Sequence, residues 1–375
     1  MNILIAMDSF KGSVSSLEAG AAVKQGIKDA ELVAKTTIIP VADGGEGTVE
    51  AFIDQTQGQL KTAEVTGPLG DKVQAVYGVE GNKVILEVAT TSGITQVPKQ
   101  DLDPWQATSF GLGELIKHLV EEGYRDFIIG LGGSATNDAG FGMLEALGYR
   151  FITEKGKSTN RDICEMKHIA TIDDSQVLPE LQSCRFVIAS DVTNPLCGTK
   201  GATAVFGPQK GVKEHEVEEI DQLLAHFAQV TAKHLKEDLS EKVGAGAAGG
   251  LGFAILAYLQ GAIEPGFQLL AKEKKLAEKV AQADLLITGE GRLDAQSVMG
   301  KVPSSLAKIA QDKPLIVLAG SVSNDAGQCN EHGIDAFFPI IRQIASEEET
   351  LKKETTMESI RQTAEQLFRF YQKMK

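Results

Sequence analysis

Four loops of this chain combine glycine with acidic or basic side chains, and each follows an apolar run that is typical of a strand. Lys11 and Arg292 carry charges that can neutralise a carboxylate or a phosphate. Asp43 and Glu46 place oxygen ligands on one short glycine turn, which suits Mg²⁺. Asp191 stands where its strand ends, so a general base or metal ligand would be held rigidly there. The four loops are 8–13, 43–48, 191–198 and 289–294.

Each loop also has a purely structural interpretation. Lys11 can form a surface salt bridge, and Asp191 can cap a turn. Arg292 can pair with its own neighbours Glu290 and Asp294. In the acidic turn, three glycines interleaved with two carboxylates exceed what a plain turn needs, which favours close approach of a ligand. The sequence therefore predicts a site but leaves several individual roles open.

A fifth loop lies in the stretch 127–147, FIIGLGGSATNDAGFGMLEAL, where an apolar run gives way to glycines and then to an apolar-periodic segment. This pattern predicts a strand, a tight turn and a helix start. Its glycines remove the Cβ atoms that would keep an anion from the backbone, and its polar side chains lie at a helix N-terminus. An ordinary turn with an N-cap is the alternative. We predict that phosphate binds here, through Gly130, Gly132, Gly133, Ser134, Thr136 and Asn137.

Composition and charge narrow the class of partner. With 375 residues the chain exceeds what one hydrophobic core usually organises, so two domains are expected. A formal net charge of -14 would repel nucleic acid and anionic membrane, so neither is an expected partner. Four widely spaced cysteines, an early polar residue at Asp8 and the lack of a membrane-length apolar run predict a cytoplasmic protein.

The elements that position these loops alternate between strand and helix, which is typical of an open parallel sheet with ligands at the carboxyl ends of its strands. Between residues 58 and 89, short alternating segments and two turns predict an antiparallel patch. We expect a first domain of 1–70 and 281–375, with a second domain of 71–280 inserted into it. The other predicted strands are 2–7, 36–41, 185–190, 283–288, 315–319 and 336–340, and the main predicted helices are 17–30, 104–122, 303–310 and 357–374.

Several familiar motifs are missing or stand in the wrong context. Gly244-x-Gly246-x-x-Gly249 has the form of a dinucleotide fingerprint, but a charged segment precedes it instead of a strand. Neither a P-loop nor the H-R-D and D-F-G pair of protein kinases occurs, and the six histidines lack metal-binding spacing. Cys197 has no evident basic partner, so a buried thiol is expected.

Seven segments together resemble the bacterial type I glycerate kinase family, in order and over the full length of the chain. Their acidic, basic and glycine positions show no departure from the family pattern. They are DSFKGS (8–13), PVADGGEGT (40–48), GLGGSATNDAG (130–140), DVTNPLCG (191–198), GPQKG (207–211), GAGAAGGLG (244–252) and ITGEGRLDAQSVMGK (287–301).

This resemblance implies ATP-dependent phosphorylation of D-glycerate, with 2-phosphoglycerate favoured over 3-phosphoglycerate as product. It implies an α/β fold of two domains, in which a flavodoxin-like or Rossmann-like parallel-sheet domain carries a mixed-sheet α/β domain as an insertion. The active site would lie in the cleft. A monomer or a homodimer is compatible with this.

For such a reaction the residue chemistry suggests specific roles, since phosphoryl transfer needs positioning, charge neutralisation and one group to orient the hydroxyl. Loop 130–137 would receive the ATP phosphates, and Asp191 would accept the hydroxyl proton. Lys11 and Arg292 would bind the carboxylate of glycerate and the migrating phosphoryl group. The remaining substrate-binding candidates are Asp8, Ser9 and Asp294, and the Mg²⁺ candidates are Asp43, Glu46 and Glu290.

Two other functions use similar loops. A metal-dependent phosphatase or isomerase of a sugar acid also gathers carboxylates at strand ends, and a requirement for ATP would separate it. A glycerate-sensing regulator on the same scaffold would bind glycerate without releasing ADP.

Overall fold

Strands and helices alternate along most of the chain in a computed structural model, which describes residues 1–54, 56–298 and 301–374. The fold class is α/β, as the sequence predicts. The strands are β1 (Asn2–Met7), β2 (Lys35–Ile38), β3 (Gln59–Thr66), β4 (Lys72–Glu80), β5 (Lys83–Glu87), β6 (Asp126–Gly130), β7 (Arg150–Thr153), β8 (Ile169–Asp173), β9 (Arg185–Ala189), β10 (Ala262–Glu264), β11 (Leu285–Leu293), β12 (Leu315–Val322) and β13 (Ala336–Pro339). The helices are α1 (Ser16–Asp29), α2 (Thr48–Ile53), α3 (Val88–Ser92), α4 (Phe110–Glu121), α5 (Phe141–Ala146), α6 (Ala202–Phe206), α7 (Val217–Leu235), α8 (Ala247–Tyr258), α9 (Gly266–Glu273), α10 (Leu276–Ala281), α11 (Val302–Ala310), α12 (Glu347–Thr350) and α13 (Lys353–Met374).

The chain divides into two compact units. Unit 1 comprises Met1–Gln55 and Gly266–Lys375, and unit 2 comprises Thr56–Pro265. The boundaries expected at 70 and 280 lie about fifteen residues further along the chain at each crossing. β3 accounts for the first difference, because it pairs with β4 and so belongs to the sheet of unit 2. At the second crossing, Gly266 begins α9 against the backbone of Asp43, so α9 belongs to unit 1.

Unit 1 is built on five parallel strands in the order β13-β12-β11-β1-β2. β1 is a continuous buried run, and its residues pair with β2 on one side and with β11 on the other. The direction in which strands are added therefore reverses at β1. Such a switch point opens a crevice at the carboxyl ends of the strands, where open α/β sheets bind ligands.

Helices α1 and α13 cover one part of the unit 1 core. α1 begins with a capping box, in which the Ser15 side chain accepts from the Glu18 N–H and the Glu18 carboxylate accepts from the Ser15 N–H. A Cβ at Gly26 would lie 2.2 Å from the carbonyl oxygen of Arg361, so only glycine allows α13 to approach this closely. The buried side chains Ile27, Ile360 and Phe368 belong to the same core.

Unit 2 is built on a mixed sheet in the order β10-β9-β6-β5-β4-β3. The strands β10, β9, β6 and β5 are parallel, whereas β3, β4 and β5 pair antiparallel, which confirms the antiparallel patch predicted near the start of this unit. Its core is rich in stacked and edge-on aromatic rings, including Phe141, Phe151 and Phe227.

In the described ranges, no helix is both long and apolar enough to cross a membrane.

Several expected elements have different bounds in the structure, and two of the differences affect the position of site residues or their neighbours. The helix expected from Pro104 begins at Phe110, because the Asp103 carboxylate accepts from the Trp105 N–H at 3.0 Å and forms a turn there instead. The loop expected at 289–294 lies mostly within β11, where Arg292 pairs with Ser321 of β12. Glu290 and Arg292 therefore stand on a strand and not on a free loop.

Candidate active site

In unit 1, the charged motifs meet at the switch point between β1 and β11. Asp8 follows β1 directly, and its N–H donates to the Gly289 carbonyl at 2.9 Å, which continues the β1–β11 ladder by one residue. Ser16 Oγ donates to the Met7 carbonyl and accepts from the Val41 N–H at 3.0 Å. The first turn of α1 thus ties the end of β1 to the segment that leads to Asp43.

The central groups of this cluster are two buried carboxylates, Asp8 and Glu290, with relative exposures of 7% and 6%. Burial, with the neighbouring charge of Asp43, raises the pKa of Asp8 well above its ordinary value. Burial also raises the pKa of Glu290. The Oε1 atom of Glu290 has no hydrogen-bond partner among the described residues. The site therefore gathers carboxyl groups that resist ionising together, and it keeps one buried Glu290 oxygen available to a cation.

Lys11 faces this negative cluster from a more exposed position. Its Nζ lies 3.8 Å from Asp43 Oδ2. The charge of Asp43, with those of Asp8, Glu46 and Glu290, raises the pKa of Lys11, although its burial opposes this. Glu46 is exposed. Because the charge of Glu46 contributes to the raised pKa of Lys11, Glu46 lies at the rim of the same cluster.

Arg292 and Asp294 form a second charged group at the end of β11. Arg292 Nε lies 3.4 Å from Asp294 Oδ2, so the local pairing expected as an alternative is present. The Arg292 side chain is nevertheless 69% exposed. Lys301 adds another cation, with its Nζ 3.5 Å from Glu290 Oε2 and 3.9 Å from Asp294 Oδ1. Because the Arg292 side chain is exposed, its ion pair with Asp294 is weak, and a ligand can break it.

A cavity of about 830 Å³ opens beside these groups in unit 1. Lys11, Arg292 and Arg342 line it, and its apolar wall includes Ile340 and Leu351. No acidic residue is among the described residues that line the cavity. In a chain with a net charge of -14, this is a local surface suited to an anion.

In unit 2, the glycine loop follows β6 as the sequence predicts. Gly132 and Gly133 are its accessible part, and Gly133 adopts a positive φ of 74°. Ser134, Thr136 and Asn137 are all buried instead. Their side chains serve the interior: Ser134 Oγ accepts from Lys210, and Asn137 Nδ2 donates to Thr203 Oγ1 at 2.9 Å. A phosphate that reaches this loop would meet the two glycines first.

A buried carboxylate organises the turn that follows. Asp138 accepts from the Ser109 N–H at 3.0 Å and from Ser109 Oγ at 2.7 Å. It also accepts from the N–H groups of Gly140 and Gly142 at 3.1 and 3.2 Å. These donors fix the start of α5. Burial raises the pKa of Asp138 despite them.

Asp191 lies two residues beyond the end of β9, which is the parallel neighbour of β6. Its side chain is exposed, as a proton acceptor for a bound substrate must be. Because parallel neighbours end at the same edge of a sheet, Asp191 and the Gly132–Gly133 corner lie at one edge of unit 2.

Comparisons with known proteins agree with one another. The model of the glycerate kinase family matches residues 3–372. The chain belongs to the glycerate kinase family. It is 43% identical to the glycerate kinase of Haemophilus influenzae over 357 residues, which are 94% of each chain. It is 43% identical to the glycerate 2-kinase of Escherichia coli over 356 residues, covering 94% of this chain and 93% of that protein. The crystal structure of putative glycerate kinase 2 from Salmonella typhimurium LT2 superposes with a TM-score of 0.84 at 41% identity, covering 100% of this chain and 99% of the other.

Membership of the glycerate kinase family makes the protein an enzyme, a phosphotransferase with an alcohol group as acceptor. Around the charged cluster of unit 1 and the glycine loop of unit 2, the structure places residues to which the sequence analysis assigned no role. In unit 2 these are Lys210 and Ser109. In unit 1 they are Lys301 and Arg342. Lys210 was detectable as the one charge within the glycine-bounded motif GPQKG.

The predicted set of three magnesium ligands is not assembled as a set. Within the ranges 1–54, 56–298 and 301–374, no three Asp, Glu, His or Cys side chains are grouped closely enough to hold a metal ion. Glu46 is exposed at the rim, while Asp8, which we assigned to the substrate, lies in the charge field of Asp43 and Glu290. Any Mg²⁺ here would depend on oxygens from elsewhere, as is usual when the ion arrives with a nucleotide.

Proposed function

We propose that the protein is a glycerate kinase, which phosphorylates D-glycerate with ATP and Mg²⁺. The observation that carries this proposal is the cluster at the switch point of unit 1, where Lys11 faces Asp8, Asp43 and Glu290. Paired cations and carboxylates at the carboxyl ends of parallel strands suit a small anionic hydroxy acid and a metal-bound nucleotide.

The chemistry of the donor set fits Mg²⁺. Asp8, Asp43 and Glu290 repel one another, and a buried Glu290 oxygen has no partner among the described residues. Mg²⁺ takes one or two carboxylates together with phosphate oxygens and waters, so these residues suffice. We propose Asp43 and Glu290 as direct ligands and Glu46 as a ligand through water. The ion, when bound, would neutralise charge on the transferring phosphoryl group.

Lys11 and Arg292 bind the carboxylate of glycerate and steady the migrating phosphoryl group. Both line the basic cavity, and Arg292 can leave its exposed pairing with Asp294. Asp8 and Ser9 are buried next to Lys11, so they orient the substrate from the buried side of the site. Buried Ser9 Oγ lacks a hydrogen-bond partner among the described residues and can donate to a substrate oxygen.

In unit 2, the Gly130–Asn137 loop receives the ATP phosphates, with Gly132 and Gly133 as the contact surface. The backbone, and not the buried side chains of Thr136 and Asn137, makes this contact. Asp191 accepts the proton of the attacking hydroxyl.

We propose 2-phosphoglycerate as the product, in preference to 3-phosphoglycerate. The support is the name of the E. coli relative, glycerate 2-kinase. We also propose that unit 1 is a flavodoxin-like domain that carries unit 2 as an insertion. Within unit 1 the strand order, counted along the chain, is 2-1-3-4-5, which is the flavodoxin-like order.

The test is ADP release in a coupled assay, followed by phosphorus NMR of the product. ADP should form only when ATP, Mg²⁺ and D-glycerate are all present, and the new phosphorus signal should couple to the proton on C2. L-glycerate serves as the matched control for the substrate. Release of inorganic phosphate instead of a phosphoglycerate would indicate a phosphatase, and glycerate binding without ADP formation would indicate a sensor.

A further inference from the structure

Lys210 is a lysine enclosed in the interior of unit 2, with 2% of its surface exposed. Its Nζ donates to Ser134 Oγ at 2.8 Å and to the Thr136 carbonyl at 2.6 Å. In the part of the chain that the structure describes, it has no ion pair. Both acceptors are neutral groups of the predicted phosphate loop.

A buried ammonium group without a counter-ion is energetically unfavourable, so such groups occur mainly at functional sites. Burial lowers the pKa of Lys210 to about 7, while the field of Asp138 acts in the opposite direction. Asp138 is the one charged group among the described residues that affects Lys210 in this way. Its carboxylate is committed to Ser109, Gly140 and Gly142. Among the described residues, Lys210 therefore lacks a close anion.

Backbone hydrogen bonds and close backbone packing hold the rest of the loop in place. The Ala135 N–H donates to the Ser92 carbonyl at 2.8 Å, and the Ile94 N–H donates to the Gly133 carbonyl at 2.8 Å. On another side, a Cβ at Gly249 would lie 2.1 Å from the Thr136 carbonyl oxygen, so the glycine tract presses directly on the loop. Lys210 is the one side chain described here that ties Ser134 and Thr136 together.

We propose that Lys210 is a positioning residue for the nucleotide. It lies beneath the loop and joins Ser134 to Thr136, which keeps the Gly132–Gly133 corner in shape for an anionic phosphate. That phosphate then becomes the counter-ion of Lys210. This inference rests on the proposed function only in taking ATP or ADP as the anion. Lys210 does not touch the reacting atoms, because the loop covers it.

The charge of Lys210 predicts that protons are taken up when the nucleotide binds. An anion placed near a lysine favours its protonated form. At pH 8, part of the Lys210 population is neutral before the nucleotide binds and becomes charged afterwards. Nucleotide binding should therefore take up a fraction of a proton, and a residue that only supports the fold would take up none.

The experiment is isothermal titration calorimetry of Mg-ADP into the full-length protein at pH 8, in two buffers of different ionisation enthalpy. The difference in apparent binding enthalpy between the buffers gives the number of protons taken up. We expect net uptake in the wild type and none in Lys210→Met. Lys213→Met is the matched control, since Lys213 is exposed three residues away and should leave the uptake unchanged.

Steady-state kinetics provides the second measurement. Lys210→Met should raise KM for ATP about tenfold or more, because two hydrogen bonds from a charged donor are lost, whereas KM for D-glycerate stays within about twofold. Ser134→Ala removes one of the two acceptors and should raise KM for ATP by a smaller factor. Because that change only shortens a buried side chain, it keeps the proposal testable if Lys210→Met does not fold.

The proposal is overturned if the wild type takes up no proton, if uptake persists in a folded Lys210→Met protein, or if KM for ATP is unchanged in Lys210→Met or, failing that protein, in Ser134→Ala. A failure of the proposed function is a different result. It would appear as absent ADP formation with D-glycerate, which the calorimetry without glycerate does not measure.

Discussion

Units 1 and 2 use polar residues in opposite ways. In unit 1 the charges of Lys11 and Arg292 are exposed beside a cavity, and they are held by loose pairs with Asp43 and Asp294. In unit 2 the polar side chains of the glycine loop are buried, Ser134 and Asn137 are hydrogen-bonded to the interior, and Gly132 and Gly133 are the part of the loop that faces outward. Unit 1 therefore offers side-chain charge to a ligand, and unit 2 offers a shaped backbone.

The contrast between the units predicts where substitutions should act. A charge that contacts a reactant affects kinetics and leaves folding nearly intact, because exposed pairs contribute little to stability. A buried group that shapes a loop affects stability and nucleotide affinity together, because its partners are left without hydrogen bonds. Asp191 is the exception in unit 2, since it is exposed and should act only on the reaction.

The largest effect is expected from Asp191→Asn. If Asp191 accepts the hydroxyl proton, kcat should fall by about 10²–10⁴, the range that general bases contribute, with KM for D-glycerate little changed. Initial rates in the coupled ADP assay measure both constants. Asp101→Asn, an exposed carboxylate of the same unit, is the control. Wild-type turnover in Asp191→Asn would remove this residue from the mechanism.

The next largest effect separates the two units by stability. Asp138→Asn removes the charge that four donors share, and the free energy of unfolding should fall by about 3 kcal/mol. Urea denaturation followed by the fluorescence of Trp105 reports on unit 2, because this is the only tryptophan of the chain. Asp43→Asn in unit 1 should leave that transition within about 0.5 kcal/mol. Equal shifts in both variants would contradict the contrast between the units.

Lys11→Met should change binding of the acid substrate and not the fold. Loss of one charged contact to the glycerate carboxylate predicts a rise of about ten- to a hundredfold in KM for D-glycerate. Lys353→Met, which breaks the exposed pair of Lys353 with Glu18, is the control and should leave KM unchanged. A rise in KM for ATP alone would move Lys11 from the acid to the nucleotide.

The last prediction, the smallest per measured step, is a pH dependence of stability. The folded-state pKa of Lys210 is lowered to about 7 from an ordinary value of 10.5, so between these values the unfolded chain binds more protons than the folded one. The wild type should therefore gain stability over Lys210→Met as pH rises from about 7 to 10, by up to about 1.4 kcal/mol per pH unit. Urea midpoints at pH 7, 8 and 9 measure this difference. A difference that is constant with pH would show that the folded lysine stays charged over this range, as the unfolded one does.

The sequence predicted the frame of the fold where local signals are strong. β1 is found at the predicted residues because a continuous apolar run specifies a buried strand, and α1 begins within one residue of its prediction because Ser15 and Glu18 supply a capping box. The extension of β11 through Arg292 escaped prediction. Its glycines and charges have the composition of a loop, and only pairing with β12 makes it a strand.

The candidate site was predictable by residue type but not by side-chain direction. Glycines after a strand indicated the loop of unit 2, yet nothing in the local pattern tells whether Ser134 and Thr136 point outward to a ligand or inward to Lys210. That choice depends on contacts between residues more than 70 positions apart. In unit 1, Arg342 escaped prediction for the same reason, because the packing of β13 beside β12 brings it to the cavity.

The discontinuous composition of unit 1 has a consequence for biosynthesis. Strand β1 needs β11 as a neighbour, and α1 needs α13, so this unit cannot close until the ribosome has translated β11 and α13. Unit 2 is one uninterrupted segment and can mature while the second half of unit 1 is still being translated. The glycine loop of unit 2 would thus fold well before the charged cluster of unit 1 is assembled.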